Sequence, residues 1–181
     1  MKRAAIFMIA SCIACFVLAA KQADFDLVLL SDQGQTAYRQ VRMAPEFSIG
    51  GVGVAGIPSQ QEMALRKLLR EEFAIDALIK LLNEARPAGQ IYALAGLHFL
   101  DPKIFERELR THPDFLGKNI AVPTMRGCTA DKELTSRLID EIRKGIYDER
   151  LKREVPRWKA EESEKETGDS EKTEIRVIPV N

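Results

Sequence analysis

Gln90-Ile91-Tyr92-Ala93-Leu94-Ala95-Gly96-Leu97-His98-Phe99-Leu100 is the stretch on which the reading of this chain turns. Its apolar side chains fall on nearly every side of a helix, so no polar face remains to meet water. A helix of that kind is stable only when neighbours enclose it. At eleven residues it is too short to span a ~30 Å hydrocarbon core, which takes about 20 residues. A buried central helix is therefore expected, and the rest of the chain has to supply what surrounds it.

Working outward, Ile75, Leu78, Ile79 and Leu82 keep the i, i+3, i+4, i+7 spacing of a one-faced amphipathic helix. Asn83 to Gly89, with Pro87 and Gly89, reads as a tight turn between that helix and the central one. Asp101-Pro102 stops the central helix and starts another over Lys103 to Arg110, with Ile104, Phe105 and Leu109 as its apolar positions. Upstream, Ser59 and Glu62 after Pro58 make a capping box, predicting a helix from Ser59 to about Glu72. Downstream, Leu134, Leu138, Ile139, Ile142 and Ile146 form one stripe, predicting a last helix over Asp131 to Ile146.

The aliphatic helix ending near Asn83, the turn with Pro87, the Ala/Leu/Gly-rich second helix and the Asp-Pro step together resemble a HEAT-type helical hairpin. The resemblance covers residues 77–110. It implies that Ala93, Ala95 and Gly96 let two helices approach closely. Stacked repeats need about three units, and no second copy is visible at the spacing a solenoid requires, so the resemblance speaks to local architecture and says almost nothing about a partner.

The flanks are less regular. Residues 21–58 read as an extended, glycine-rich lead-in: Phe25 to Leu30 has strand composition, Asp32-Gln33-Gly34 has turn chemistry, and Thr36 to Val41 returns as a second short strand. Thr111 to Thr129 is irregular, with a short strand at Ile120-Ala121-Val122. From Asp148 to Glu174 charged residues outnumber the apolar Leu151, Val155, Trp158 and Ala160, so the segment reads as a solvated helix extension or as disordered, and residues 148–181 as a charged, disordered tail. Its end, Ile175 to Val180, is apolar enough to add a strand, and Trp158 is the one large anchor within it. The fold class expected is mainly α: a small helical domain at 59–147 with a few short peripheral strands.

The amino terminus has a plan of its own. Lys2 and Arg3 precede an apolar run from Ala4 to Ala20, broken only by Ser11 and followed by Lys21. A basic region, an apolar core and small residues at the exit describe a cleaved export signal. Retention of residues 4–20 as an anchor is the second reading. The third comes from Ile9-Ala10-Ser11-Cys12, which resembles the bacterial lipoprotein box; there the Cys is lipidated, but here the greasy Ile13 to Ala20 follows it. Export places the protein in the periplasm, the envelope or outside the cell.

Composition narrows the function classes. The chain has 181 residues, 27 basic and 27 acidic side chains, 45% hydrophobic and 30% charged residues. Such a balance gives no global field for nucleic acid, and no nucleic-acid partner is expected. Cys12 and Cys15 lie in the leader, so one thiol, Cys128, remains and no internal disulfide framework is possible.

Candidate chemistry is sparse. Gly51-Val52-Gly53-Val54-Ala55-Gly56 fits G-x-G-x-x-G, but the helix starts later, at the Ser59 cap, and no parallel strand with a terminal acid follows at the required distance. A packed glycine segment is expected instead, and no cofactor. Cys128, just ahead of the last helix and beside Arg126, has the setting that favours a thiolate, with His98 or His112 as a base. Against this, a lone Cys is among the most buried residue types, and structural burial is expected. His98 points with the apolar face of the central helix and reads as a satisfied core histidine. His112 sits at a helix end, where a cation complements the dipole. These positions show no zinc spacing. Glu71, Glu72, Glu106 and Glu108 read as surface carboxylates. The expectation is an exported, non-enzymatic binding or scaffold protein with a protein partner, the alternative being a thiol-dependent enzyme or redox protein using Cys128 with His98 or His112.

Overall fold

The computed structural model describes residues 25–112 and 119–153. The apolar run from Ala4 to Ala20, Gly117, Trp158 and the strand expected at Ile175 to Val180 lie outside the described residues. The elements are a 3-10 turn at Leu27–Leu29, then α1 (Asp32–Arg42), α2 (Gln60–Leu68), α3 (Ala74–Glu84), α4 (Pro87–Leu100) and α5 (Pro102–Thr111). They are followed by strands β1 (Ala121–Arg126) and β2 (Thr129–Leu134), then α6 (Thr135–Arg143) and α7 (Asp148–Lys152). The described residues are mainly helical with a small antiparallel sheet.

α4 is the centre. Ile91, Tyr92, Ala93, Leu94, Ala95 and Leu97 are each 0–1% exposed. The helix meets α1, α2, α3, α5, α6, α7 and β1, so its apolar circumference is enclosed as its composition requires. It starts earlier than its apolar run suggests. Pro87 occupies the first turn, where its missing N–H costs nothing and its fixed φ is already helical. The link from α3 shrinks to Ala85 and Arg86, and Arg86 N–H donates to the Arg42 carbonyl of α1 at 3.0 Å. Gly89 therefore lies inside the helix, and a Cβ there would collide with the Val41 carbonyl oxygen. Gly96 plays the same part further along, where a Cβ would meet Leu78 and Leu65 methyls at 3.0–3.1 Å.

Caps explain the helix starts. Ser59 Oγ accepts from Glu62 N–H at 3.0 Å, half of the expected capping box. The other half is absent because the Glu62 carboxylate turns away to Gly50 N–H and to Arg66. Asp101 caps α5 by accepting from Lys103 N–H at 2.8 Å, with Pro102 in its first turn.

Four expectations are corrected. Phe25 to Leu30 and Thr36 to Val41 are not paired strands: the first is the 3-10 turn and the second belongs to α1. Ser31 caps α1 by accepting from Gly34 N–H, and Ala37, Tyr38 and Val41 face the core at helical spacing. The last helix does not begin at Asp131. Thr129–Leu134 pairs in register with β1, from Ala121 opposite Leu134 to Arg126 opposite Thr129. Phe47 then extends the sheet by one bridge, its N–H donating to Pro123 O at 2.8 Å and its carbonyl accepting from Met125 N–H at 3.0 Å. Of the two readings of the charged tail, helix extension and disorder, Asp148–Lys152 takes the first, but it is not simply solvated, since its Leu151 is buried. Finally, Glu108 is no surface carboxylate: it is 4% exposed and accepts from Arg107 and Thr111.

Candidate functional site

The three residues proposed for thiol chemistry are placed apart. His98 Nδ1 lies 2.9 Å from Asp148 Oδ2, and its ring meets Phe105 edge-on at 5.0 Å. It is a half-buried histidine paired with a carboxylate at the rim of the core. His112 closes the C-terminal end of α5, with Nδ1 3.0 Å from the Glu108 carbonyl and Nε2 3.1 Å from Asn83 Oδ1. Phe105, the neighbour of His98, and His112 are about two turns apart on α5, roughly 10 Å of helix rise.

Cys128 is exposed, which overturns the burial expected of it. It occupies the turn between β1 and β2, not a helix N-terminus, because Thr129 to Leu134 forms a strand before α6 begins. Arg126 is not aimed at it either. Its Nε and Nη2 donate to Glu133 at 2.7 and 3.1 Å, and Nη2 also to Glu141 at 2.6 Å. Both devices that would activate the thiol, the helix dipole and a nearby cation, are committed elsewhere. Among the described residues no hydrogen bond or ring contact joins Cys128 to a histidine, and no group of three or more His, Cys, Asp or Glu side chains is placed to hold a metal.

What the sequence does bring together at this end of the molecule is a double loop. In the glycine segment Val52 and Ile57 exchange backbone bonds, Val52 N–H to Ile57 O at 2.7 Å and Ile57 N–H to Val52 O at 3.2 Å, which closes a turn over Gly53 to Gly56. Gly51 has φ +96°, and a Cβ on it would lie 2.5 Å from Gly56 O, so only glycine fits. The turn is tied to the β1–β2 turn by Gly53 N–H donating to Gly127 O at 2.9 Å, where Gly127 holds φ +59°. The result is a bonded tip that displays Val54 at 98% exposure next to the turn carrying Cys128. The packing expected for this segment holds at Ile49, which is buried, and fails at Val54.

The tip stands on buried polar chemistry. Tyr92 OH donates to Ser48 O at 2.8 Å and accepts from Ser48 N–H at 2.9 Å, so the central helix pins the start of the loop. Burial, partly opposed by the Ser59 and Ser48 bonds, pushes the Tyr92 phenol well above its ordinary range. Glu62, 1% exposed, accepts from Gly50 N–H at 2.8 Å. Arg66 donates to Glu62 Oε1 at 2.7 Å and, on its other side, to the Arg150, Leu151 and Arg153 carbonyls at 2.8–3.0 Å. One guanidinium thus joins α2 to the C-terminal end of α7, where a cation also complements the helix dipole. Arg150 completes the frame by donating to Ile49 O at 2.7 Å.

A second network sits beneath the hairpin turn. Glu141 accepts from Tyr147 OH and from Arg126, while Tyr147 packs edge-on against Phe47 at 5.1 Å between ring centres. Burial disfavours the Glu141 charge, but the Tyr147 hydroxyl and the Arg126 guanidinium outweigh it and hold the carboxyl below the ordinary carboxylate range. Because the folded pKa is depressed, the stabilisation is complete above the unfolded value, about 4.3, and is lost as pH falls through the folded one. Glu141→Gln should therefore cost about 1 kcal/mol at pH 7, the upper end for a partly solvated network. Its urea midpoint should approach that of the parent as the pH falls below the reference carboxylate value and through the depressed folded one; a gap that does not narrow with falling pH contradicts this account.

Compared with known proteins, the chain matches no family model, no curated protein and no solved structure.

Proposed function

We propose that this protein is an exported, non-enzymatic binding or scaffold module of the cell envelope, and that it meets a partner protein through the tip at Gly53–Gly56. The observation that carries the reading is Val54, an aliphatic side chain 98% exposed on a turn closed by backbone bonds and anchored from beneath by Tyr92 and Glu62. A floppy loop would display an apolar residue at random, whereas a rigid one presents it in one place, which lowers the ordering cost of binding. Export is supported by the basic start and apolar run of residues 2–20. The α3–α4 pair we read as a HEAT-type hairpin, a supporting element rather than a repeat surface. The pairing of His98 with Asp148, of Glu141 with Arg126 and Tyr147, and of Glu62 with Arg66 supports a structural part for these side chains.

The exposed Cys128 keeps the thiol-dependent alternative open, and it also supplies the test. A short thiol-to-amine cross-linker reacted with Cys128 in intact cells should give one discrete protein adduct, reduced about tenfold or more by Val54→Asp, the loss of one interface anchor worth about 1.4 kcal/mol or more. An adduct indifferent to Val54→Asp, or none, rules out the tip as the contact. Alkylation of Cys128 at the rate of an ordinary exposed thiol counts against the enzyme, and a strongly accelerated rate near neutral pH counts for it.

A further inference from the structure

We infer that the face at the start of the described chain, formed by Phe25, Leu27, Val28, Leu29 and Phe73, lies against a lipid bilayer surface. This rests on the envelope reading in its tethered form, with residues 4–20 retained as an anchor. Val28 is 76% and Leu29 54% exposed, side by side on a 3-10 turn. They are not isolated. Phe25, Leu27 and Phe73 are only partly buried against the core, and the Phe25 and Phe73 rings meet at 6.3 Å. The turn itself is fixed, since Asp26 caps it by accepting from Val28 N–H at 3.1 Å and Leu30 N–H donates to Leu27 O at 3.0 Å. Its neighbour Ser31 is held by Glu71, which accepts from both the Ser31 N–H and its hydroxyl. An apolar edge is therefore presented in a set orientation.

What covers it follows from the length of chain ahead of it. The apolar run ends at Ala20, and only Lys21, Gln22, Ala23 and Asp24 precede Phe25. These polar and small residues suit the headgroup layer, where charges stay hydrated, and none could extend the anchor into hydrocarbon. The five peptide steps from Ala20 to Phe25 reach at most about 17 Å, and the headgroup layer accounts for about 5–8 Å of that. A tether so short keeps the Phe25 to Leu29 edge close to the interface. Among the described residues no helix is long and apolar enough to cross a membrane.

The test uses the full chain in vesicles of phosphatidylethanolamine and phosphatidylglycerol, with a photoreactive benzophenone side chain placed at Leu29 and, separately, at Val54. Illumination should give phospholipid adducts several-fold more often from position 29 than from 54. A chain that stays with the membrane but gives equal adducts at both positions overturns the inference and leaves the tethered envelope protein standing. Adducts from position 29 to another protein or to residues 1–20 overturn it in favour of that occupant. Recovery from cells of a soluble exported chain beginning near Lys21 removes the tether and the inference while preserving the binding module. A full-length chain confined to the cytosol removes both.

Discussion

Arg66→Met should lower the unfolding free energy by about 3–5 kcal/mol, the cost of leaving a buried charge without its partner. The Glu62 side chain is 1% and the Arg66 side chain 13% exposed. With the guanidinium gone, Glu62 keeps only the Gly50 N–H at 2.8 Å. The carbonyls of Arg150, Leu151 and Arg153 lose their donor at the same time. Replacing both partners is a different experiment. Glu62→Leu combined with Arg66→Met removes the orphaned charge, and apolar replacements of a buried pair are often neutral, so the double variant should recover much of the loss. Chemical denaturation of the two single variants and the double closes the cycle. A cost for Arg66→Met below about 1 kcal/mol, typical of an exposed pair, would refute the placement of this pair in the interior. Hydrogen exchange adds a local readout: the amides of α7 should lose protection beyond the global change, because the clasp acts on that helix directly.

The parts of this fold that were legible are those written in local sequence. α4 announced itself because eleven consecutive residues leave no polar face, and α3 because four aliphatics keep one spacing. Asp101-Pro102 and Ser59 mark boundaries through hydrogen bonds made within a few residues. What escaped the sequence is settled by residues far away. Asp32-Gln33-Gly34 has the chemistry of a turn and equally of a first helical turn, and what decides for the helix is Glu71 binding Ser31 across 40 positions. Thr129 to Leu134 carries Asp131, Lys132 and Glu133, a composition suited to a helix, yet strand pairing with β1 wins. Phe47 braces that sheet from the other edge. α7 is nearly all charged, and it is ordered by Arg66, 85 positions from Leu151. The same limit applies to the site. The glycine run was visible as unusual backbone, but its bond to Gly127, which makes it half of a tip, is long-range. Cys128 was expected to be buried because most lone cysteines are, and a tight turn between two strands left it outside.

Leu97→Ala should cost about 2–5 kcal/mol, and so should Ile91→Ala and Leu94→Ala, whereas Leu134→Ala should cost less than about 0.5 kcal/mol. Leu134 is 47% exposed, while the other three are 0–1% exposed. An amphipathic helix would spread such costs by face, with expensive positions three or four apart and cheap ones between. Ile91, Leu94 and Leu97 share one spacing, so the sharper comparison is with Tyr92, which turns to another side, and with Ala95, a small residue one turn on from Ile91, both also 0% exposed. Tyr92→Phe should lose about 1–3 kcal/mol through the unpaired Ser48 groups, and Ala95→Leu about 1–3 kcal/mol through overpacking. Thermal or urea unfolding of these variants reads the circumference of α4 directly. One side that tolerates both enlargement and truncation would mean that the helix has a free face. In that case the helices around it would need another apolar surface to pack on, and the described chain offers none of comparable extent. Since a domain of this size holds about 5–15 kcal/mol in total, two truncations on α4 should together remove most of it. The framework beneath Val54 would go with them, because Tyr92 is at once part of that helix and the hydrogen-bonding partner of the loop that carries the tip.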